Sequence, residues 1–441
     1  MIEMKSEILS RRCIKPSSPT PSHLKTFKLS LLDQLAPPIH GTMTFFYTST
    51  LNNSSNFSQT LQESLSKTLT LFYPLAGRLQ DAATVDCNDQ GVFFIEAKVN
   101  IQLSQFLSQP DFNLTDHFLP SNDYQTMELS NGAMLLVQFT SFTCGGAAIS
   151  LSLTHKLADM SALVTFLRSW TNASCLFCKP VVPDFIGPNL LPPRDDFQNM
   201  SASVNIKAAN FALRRFVFST SKIAELKDKV YDQFLLAMHR HPSRVELVLA
   251  LIWKCAMAAN RSKSESFRPS VLFQAVNLRK RMTPPVPETA FGNFVWPFMV
   301  LAEEDNKDDL ELHELVTEMR KAFNNFCNEK ADKFKGEEGH LAILGALKER
   351  GEFFKNNREM TVYKCTSWCK FPLYDTDFGW GKPVWHVSVN KIVSNTIALA
   401  DTRSGDGIEA LITLDDEEMA IFERNEELLE YATLNPSIAC A

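Results

Sequence analysis

The sequence predicts a mixed α/β (α+β) protein built as two layered domains. Three observations carry this. Strand-like and helix-like periodicities alternate in both halves, a long proline-rich aperiodic stretch separates them, and 441 residues are more than one ordinary core holds. With 45% hydrophobic and 10% aromatic residues, the chain can bury a sizeable interior.

Residues 56–72, NFSQTLQESLSKTLTLF, read as a helix: Leu61, Leu65, Leu69 and Phe72 recur at three- and four-residue spacing, and Ser58 is placed as its N-cap. Pro74 and Gly77 end it. Residues 134–154 read as two strands joined at Cys144-Gly145-Gly146, the second alternating Ile149, Leu151, Leu153 on one face with Ser150, Ser152, Thr154 on the other. A helix follows over 161–172, with Leu163, Phe166, Leu167 and Trp170 as its apolar face and Ser161 as its cap. Residues 175–205 are proline-rich and aperiodic, a crossover between halves.

The second half opens with a strand at 212–219 and a helix at 220–233. A nearly all-apolar helix at 243–259 is expected to be buried, and a strand runs near 270–277. Residues 308–349 read as charged, exposed helix. Strands follow at 361–369, 384–393, 396–401 and 408–414, then a helix over 415–430 whose opening Asp415-Asp416-Glu417-Glu418 suits a helix N-terminus. The divisions expected are residues 1–180, a crossover at 181–210, and 211–441.

Several function classes recede on composition. The net charge of −6 and the lack of a basic tract argue against nucleic acid. No 18-residue apolar run and no secretory h-region occur, so a cytoplasmic protein without a membrane span is expected, and sequons such as Asn113-Leu-Thr115 read as chance. The ten cysteines are scattered. Cys175/Cys178 and Cys365/Cys369 are the close pairs, neither has a matching second pair for zinc, and no metal is expected; buried free thiols are.

Residues 151–163, LSLTHKLADMSAL, pose the functional question. His155 keeps the parity of Leu151 and Leu153, so the strand points it inward. Two readings stand: a core histidine bonded to backbone, or a neutral imidazole facing a cavity, where an ordinary pKa of about 6.5 suits general-base work. Asp159 either orients the ring or braces the loop, and the strand-to-helix turn favours bracing. There is no Gly-x-Ser-x-Gly elbow and no phosphate-binding glycine loop. His155 is therefore read as activating a substrate group and not a protein serine.

His155-x-x-x-Asp159 followed far downstream by Asp377-Phe-Gly-Trp-Gly381 resembles the plant BAHD acyl-CoA-dependent acyltransferases, and within them the vinorine synthase group of alkaloid O-acetyltransferases. The resemblance spans nearly the whole chain. It includes Phe72-Tyr-Pro-Leu-Ala-Gly-Arg78, Ser243-Arg-Val-Glu246, Ile252-Trp-Lys254, Asn277-Leu-Arg-Lys-Arg-Met282, Asp401-Thr-Arg-Ser-Gly-Asp-Gly-Ile-Glu409 and Asn435-Pro-Ser-Ile438. Lys15-Pro-Ser-Ser-Pro-Thr-Pro21 and Leu32-Asp-Gln-Leu35 look like the alkaloid group. Two departures stand out: Met160 where the family usually has Gly, and Ala290-Phe-Gly-Asn293 where flavonoid enzymes have Tyr-Phe-Gly-Asn. The latter weakens a flavonoid reading.

The resemblance implies two similar chloramphenicol-acetyltransferase-like domains, each a mixed sheet with helices, joined by a long crossover with a solvent channel between them. It implies His155 as general base in a ternary complex, with Thr366 and Trp368 offering a hydroxyl and an indole N–H to the oxyanion. Asp377 would be structural and pair with Arg279 or Arg281, while Gly379, Trp380 and Gly381 shape a turn. Ser243, Arg244, Gly292, Asn293, Thr402 and Arg403 are the candidate CoA contacts; Lys254, deeper in its helix, is a weaker one. Acyl-CoA, acetyl-CoA first, is then a co-substrate and not a resident cofactor. The partner is a small-molecule alcohol, an alkaloid first, and the protein is expected to be a monomer. Alternatives are malonyl or another acyl group, a terpenoid or phenylpropanoid alcohol or an amine, a thioester hydrolase, and a non-catalytic binding relative.

Overall fold

Alternation in residues 147–154 has a direct structural result. The computed structural model, which describes residues 3–48, 54–120, 132–175, 177–197, 211–264, 268–302, 311–389 and 393–439, puts the strand Ala147–Thr154 between two antiparallel neighbours, His40–Tyr47 and Leu135–Ser141. Leu151 lies opposite Met43 on one side and Val137 on the other. The full sheet has six strands in the order Ser6–Ile14, Val92–Val99, Leu135–Ser141, Ala147–Thr154, His40–Tyr47, Trp385–Val387. Val92–Val99 and Leu135–Ser141 pair in parallel, so the sheet is mixed.

The face carrying Ile149, Leu151 and Leu153 is covered by the helices Ser54–Leu71 and Met160–Ser174, whose Leu61, Leu65, Leu69, Phe166 and Trp170 are fully buried against it. Ser58 lies inside the first of these helices and not at its cap; its hydroxyl donates to Glu96. The second is capped by Asp159, whose side chain accepts from the Ala162 amide, and not by Ser161.

The second half forms a seven-stranded mixed sheet: Val295–Ala302, Ser270–Asn277, Thr361–Ser367, Thr396–Asp401, Ile408–Asp415, Phe211–Phe218, Thr433–Leu434. Thr361–Ser367 runs parallel to both its neighbours, and the other pairings are antiparallel. Helices Thr220–Met238, Arg244–Ser264 and Leu312–Glu329 enclose its core, and the apolar helix is buried from Leu247 through Trp253 as expected. Two expected helices are each split. Residues 308–349 become Leu312–Glu329 and Gly336–Asn356 around a short turn at Ala331–Lys333, with 303–310 outside the described residues. Residues 415–430 become Asp416–Phe422 and Glu426–Tyr431, because Asn425 caps the second helix through the Leu428 amide.

The strand expected at 384–393 is Trp385–Val387, with 390–392 outside the described residues, and it pairs with His40–Tyr47 of the first half. Trp385 stacks on Phe46 at 5.4 Å within a third apolar cluster that Leu213 and Leu411 of the second sheet also meet. The halves are thus joined by shared strand pairing as well as by the crossover, of which 198–210 lie outside the described residues. Among the described residues no helix is long and apolar enough to cross a membrane.

Candidate active site

The strand Ala147–Thr154 ends one residue before His155, and the chain there is held from two sides. The His155 amide donates to the Ile39 carbonyl at 2.8 Å, and its carbonyl accepts from Asn293 Nδ2 at 2.7 Å. The imidazole is half-buried, and its Nδ1 is enclosed without a hydrogen-bond partner. Lys156, buried beside it, donates to the Gln34 carbonyl at 2.6 Å; burial pushes its ammonium pKa down, against the raising pull of Asp33.

Asp159 does not bond the imidazole. Both its oxygens take the Arg279 guanidinium, at 2.8 and 3.0 Å, and they also accept from the Ala162 and Phe294 amides. The side chains are only 1% (Arg279) and 7% (Asp159) exposed. Arg279 further donates to the carbonyls of Ala290 and Gly292 and lies 4.8 Å over the Phe294 ring. This pair ties the His155 turn of the first half to the 290–294 loop of the second. It also corrects the expected pairing: Arg279 belongs to Asp159 and not to Asp377. Arg281 donates to the Asn277 carbonyl and stacks over Phe323, so it is committed elsewhere.

Asp377 instead closes its own turn. Its Oδ1 accepts from the Gly379 and Gly381 amides at 2.8 and 2.9 Å. Both glycines have positive φ, +104° and +109°, which a side chain would strain. Phe378 and Trp380 stack at 5.5 Å, and Trp380 packs on Phe57 and Tyr47 of the first half, whose hydroxyl donates to the Thr376 carbonyl.

Thr366 and Trp368 lie at the end of the strand Thr361–Ser367, both half-buried. The Trp368 amide donates to Leu399 O at 2.7 Å, and its side chain packs on the first-half core that contains Leu153, Leu157 and Ala158.

The six candidate CoA residues fall into two groups. Ser243, Arg244, Thr402 and Arg403 meet on the second half. There the Arg244 guanidinium is spent on Asp401 and on the carbonyls of Gly405 and Asp406. Ser243 and Glu246 form a reciprocal capping box, and Arg320 holds Glu246, so that helix start already has its anion. Thr402 Oγ1 accepts from the Gly407 amide, while Arg403 is exposed. Gly292, with φ +139°, and the buried Asn293 lie instead at His155.

Sequence reasoning missed Asp33. It is buried, caps the short helix Leu31–Leu35 together with Ser30, and accepts from the Asn293 amide at 2.7 Å and from Asn293 Nδ2 at 2.8 Å. Burial pushes its carboxyl pKa up and these donors pull it back. The Ser30-x-x-Asp33 capping spacing was the available signal. The cysteine expectation needs correcting too: Cys87, Cys255 and Cys365 are buried, but Cys13, Cys144, Cys175 and Cys178 are exposed, all as free thiols. Among the described residues no group of three or more His, Cys, Asp or Glu is placed to hold a metal ion.

The model of the Transferase family matches residues 4–429. Akuammiline synthase 1 of Alstonia scholaris is 38% identical, covering 97% of each chain. Limonoid 7-O-acetyltransferase of Citrus sinensis is 37% identical over 98% of this chain and 99% of its own. The crystal structure of vinorine synthase superposes with a TM-score of 0.84 at 35% identity, covering 98% of this chain and 99% of that one. The chain belongs to the Transferase family, the BAHD acyltransferases, and is an acyl-CoA-dependent acyltransferase.

Proposed function

We propose that the chain moves an acetyl group from acetyl-CoA to a hydroxyl of a plant alkaloid, with His155 as general base in a ternary complex. The observation that carries this reading is the state of His155. Its backbone is gripped from both sides, while its half-buried ring has no protein partner at Nδ1. A histidine serving only the core would have its buried nitrogens satisfied. As the acceptor oxygen attacks the thioester carbonyl, Nε2 takes its proton. The carbon–sulfur bond then breaks, and the imidazolium returns the proton to the departing CoA sulfur. A positioned imidazole contributes ~10²–10⁴-fold to such a step. Thr366 and Trp368 supply donors to the tetrahedral oxyanion. The Thr402–Arg403 loop, braced by Arg244, takes the CoA phosphates. The enzyme works as a cytosolic monomer.

The alkaloid acceptor is supported by the likeness to akuammiline synthase 1 and to vinorine synthase. A terpenoid alcohol is the second reading, favoured by the equally long match to a limonoid 7-O-acetyltransferase. Purified protein incubated with acetyl-CoA and pooled alkaloid, terpenoid and phenolic alcohols should yield one product heavier by an acetyl group. That product should be missing with His155→Ala. CoA release at the same rate without any alcohol would turn the reading toward a hydrolase.

A further inference from the structure

The strand Thr396–Asp401 ends on a carboxylate that is used twice. Its neighbour Thr361–Ser367 runs parallel to it, and the ladder extends one residue further through the Trp368 amide on the Leu399 carbonyl at 2.7 Å. The chain then turns. Lys370 carries the turn with a φ of +71°, a left-handed conformation that is unfavourable for a residue with a Cβ. Its side chain is exposed, and its amide donates to Asp401 Oδ2 at 2.6 Å. The other oxygen, Oδ1, accepts from Arg244 Nη2 at 3.2 Å. Arg244 Nη1 in turn donates to the carbonyls of Gly405 and Asp406 at 3.1 and 2.5 Å. One carboxylate, its side chain 17% exposed, therefore pins the Trp368–Lys370 turn with one oxygen and, through Arg244, the 402–407 loop with the other.

We infer that Asp401 is a positioning residue for acyl transfer: it fixes the turn that carries Trp368 and the loop that carries Arg403 relative to one another, so that an acyl-CoA gripped by its phosphates presents its thioester carbonyl to the oxyanion donors. This rests on the proposed roles of Trp368 as a donor and of the Thr402–Arg403 loop as the phosphate site. Both ends of the co-substrate have to be placed at once. A donor works only within about 3 Å of the point where the oxyanion develops, and a misplacement of about 1 Å can cost about 10²-fold. Asp401 itself takes no part in bond making. Its two duties also differ in kind. Arg244 calls for a negative charge, whereas the Lys370 amide calls for an oxygen alone, so substitution can separate them.

The test follows CoA release by the full-length protein with the pooled alcohols at varied acetyl-CoA, which gives an apparent kcat and KM. Asp401→Asn keeps an oxygen for the Lys370 amide and turns an NH₂ toward Arg244, so KM should rise about tenfold with kcat within about threefold of wild type. Asp401→Ala loses both contacts, and its kcat should fall as well, by about 10²-fold. Glycine takes a positive φ freely, so the turn then needs no anchor. In Asp401→Ala/Lys370→Gly, kcat should return to within about threefold of Lys370→Gly alone, while KM stays raised. Unchanged kcat and KM in a folded Asp401→Ala would overturn the inference, and so would a double variant as slow as Asp401→Ala. Two further variants test the reading beneath it: Trp368→Phe should lower kcat by about 10²-fold, and Arg403→Ala should raise KM. Wild-type values in those would overturn the donor or the phosphate role itself. A slow Trp368→Phe beside an unimpaired Asp401→Ala would overturn the role of Asp401 alone. Should Asp401→Ala fold poorly, Asp401→Asn decides through its KM, a rise supporting the inference and a wild-type value overturning it.

Discussion

Removing the Asp159 carboxylate should unfold the junction before it touches the chemistry. In Asp159→Ala the Arg279 guanidinium, with its side chain 1% exposed, keeps its charge and loses its counter-ion. Stranding such a charge costs about 3–5 kcal/mol. The helix Met160–Ser174 also loses the cap to Ala162, worth about 1 kcal/mol. The total, about 4–6 kcal/mol, is comparable to the whole stability of many proteins, about 5–15 kcal/mol. Arg279→Met strands the carboxylate in turn and leaves the carbonyls of Ala290 and Gly292 without that donor, so it should be at least as damaging. The double variant Asp159→Ala/Arg279→Met holds neither buried charge, and it should fall short of the summed single effects by about 3 kcal/mol or more. Urea denaturation followed by far-UV circular dichroism and by residual transfer activity reads all three. An additive cycle would refute the reasoning. So would Asp159→Asn that keeps the wild-type midpoint while losing transfer, because that carboxylate would then act in catalysis.

Other expectations follow from particular contacts. His155→Ala should keep the wild-type denaturation midpoint and lose transfer; a residual rate within about tenfold of wild type would sink the base role, since such a base contributes ~10²–10⁴-fold. Asp377→Ala should lower thermal stability and activity together, because two amides in a positive-φ turn lose their acceptor; full stability with lost activity would contradict a structural role. His386 titrates in the fold at about 4, pushed down by burial and pulled partly back by Glu409 and Asp401. The unfolded chain takes up that proton first, near pH 6.5, so the contribution is complete above about 6.5. It is lost toward pH 4 at roughly 1 kcal/mol per unit. His386→Gln should flatten the midpoint-versus-pH curve in that window, and a parallel curve would exclude His386 as the cause.

What the sequence made legible was local. Strand 270–277 and the strand and helix around His155 followed from period alone, because apolar alternation acts within a few residues, although the helix cap is Asp159 and not Ser161. The apolar helix 243–259 was readable for the same reason. Pairing over long separations was not. Arg279 sits two residues after an Asn and offers no local hint that its carboxylate is 120 positions upstream. Trp385–Val387 reads as one more strand among its neighbours, and its choice of His40–Tyr47 depends on the closure of both halves. His40–Tyr47 and the exposed edge Ser6–Ile14 went unread, the latter because SEILSRRCI has no buried face to alternate. The site was legible in its titratable residue and not in the groups that hold its backbone, since Asp33 looks like an ordinary cap until Asn293 is folded onto it.

The first sheet's sixth strand also has a consequence in time. The edge that Trp385–Val387 covers, with Phe45, Phe46 and Tyr47 on it, leaves the ribosome about 340 residues earlier, some 17–68 s at ~5–20 residues per second. During that interval the nascent first half carries a bare apolar edge able to pair with any other extended chain. Synthesis of this enzyme is therefore a race between completing its own sheet and finding a wrong partner. Its yield in a foreign host will track chaperone supply and translation speed more closely than the stability of the finished fold.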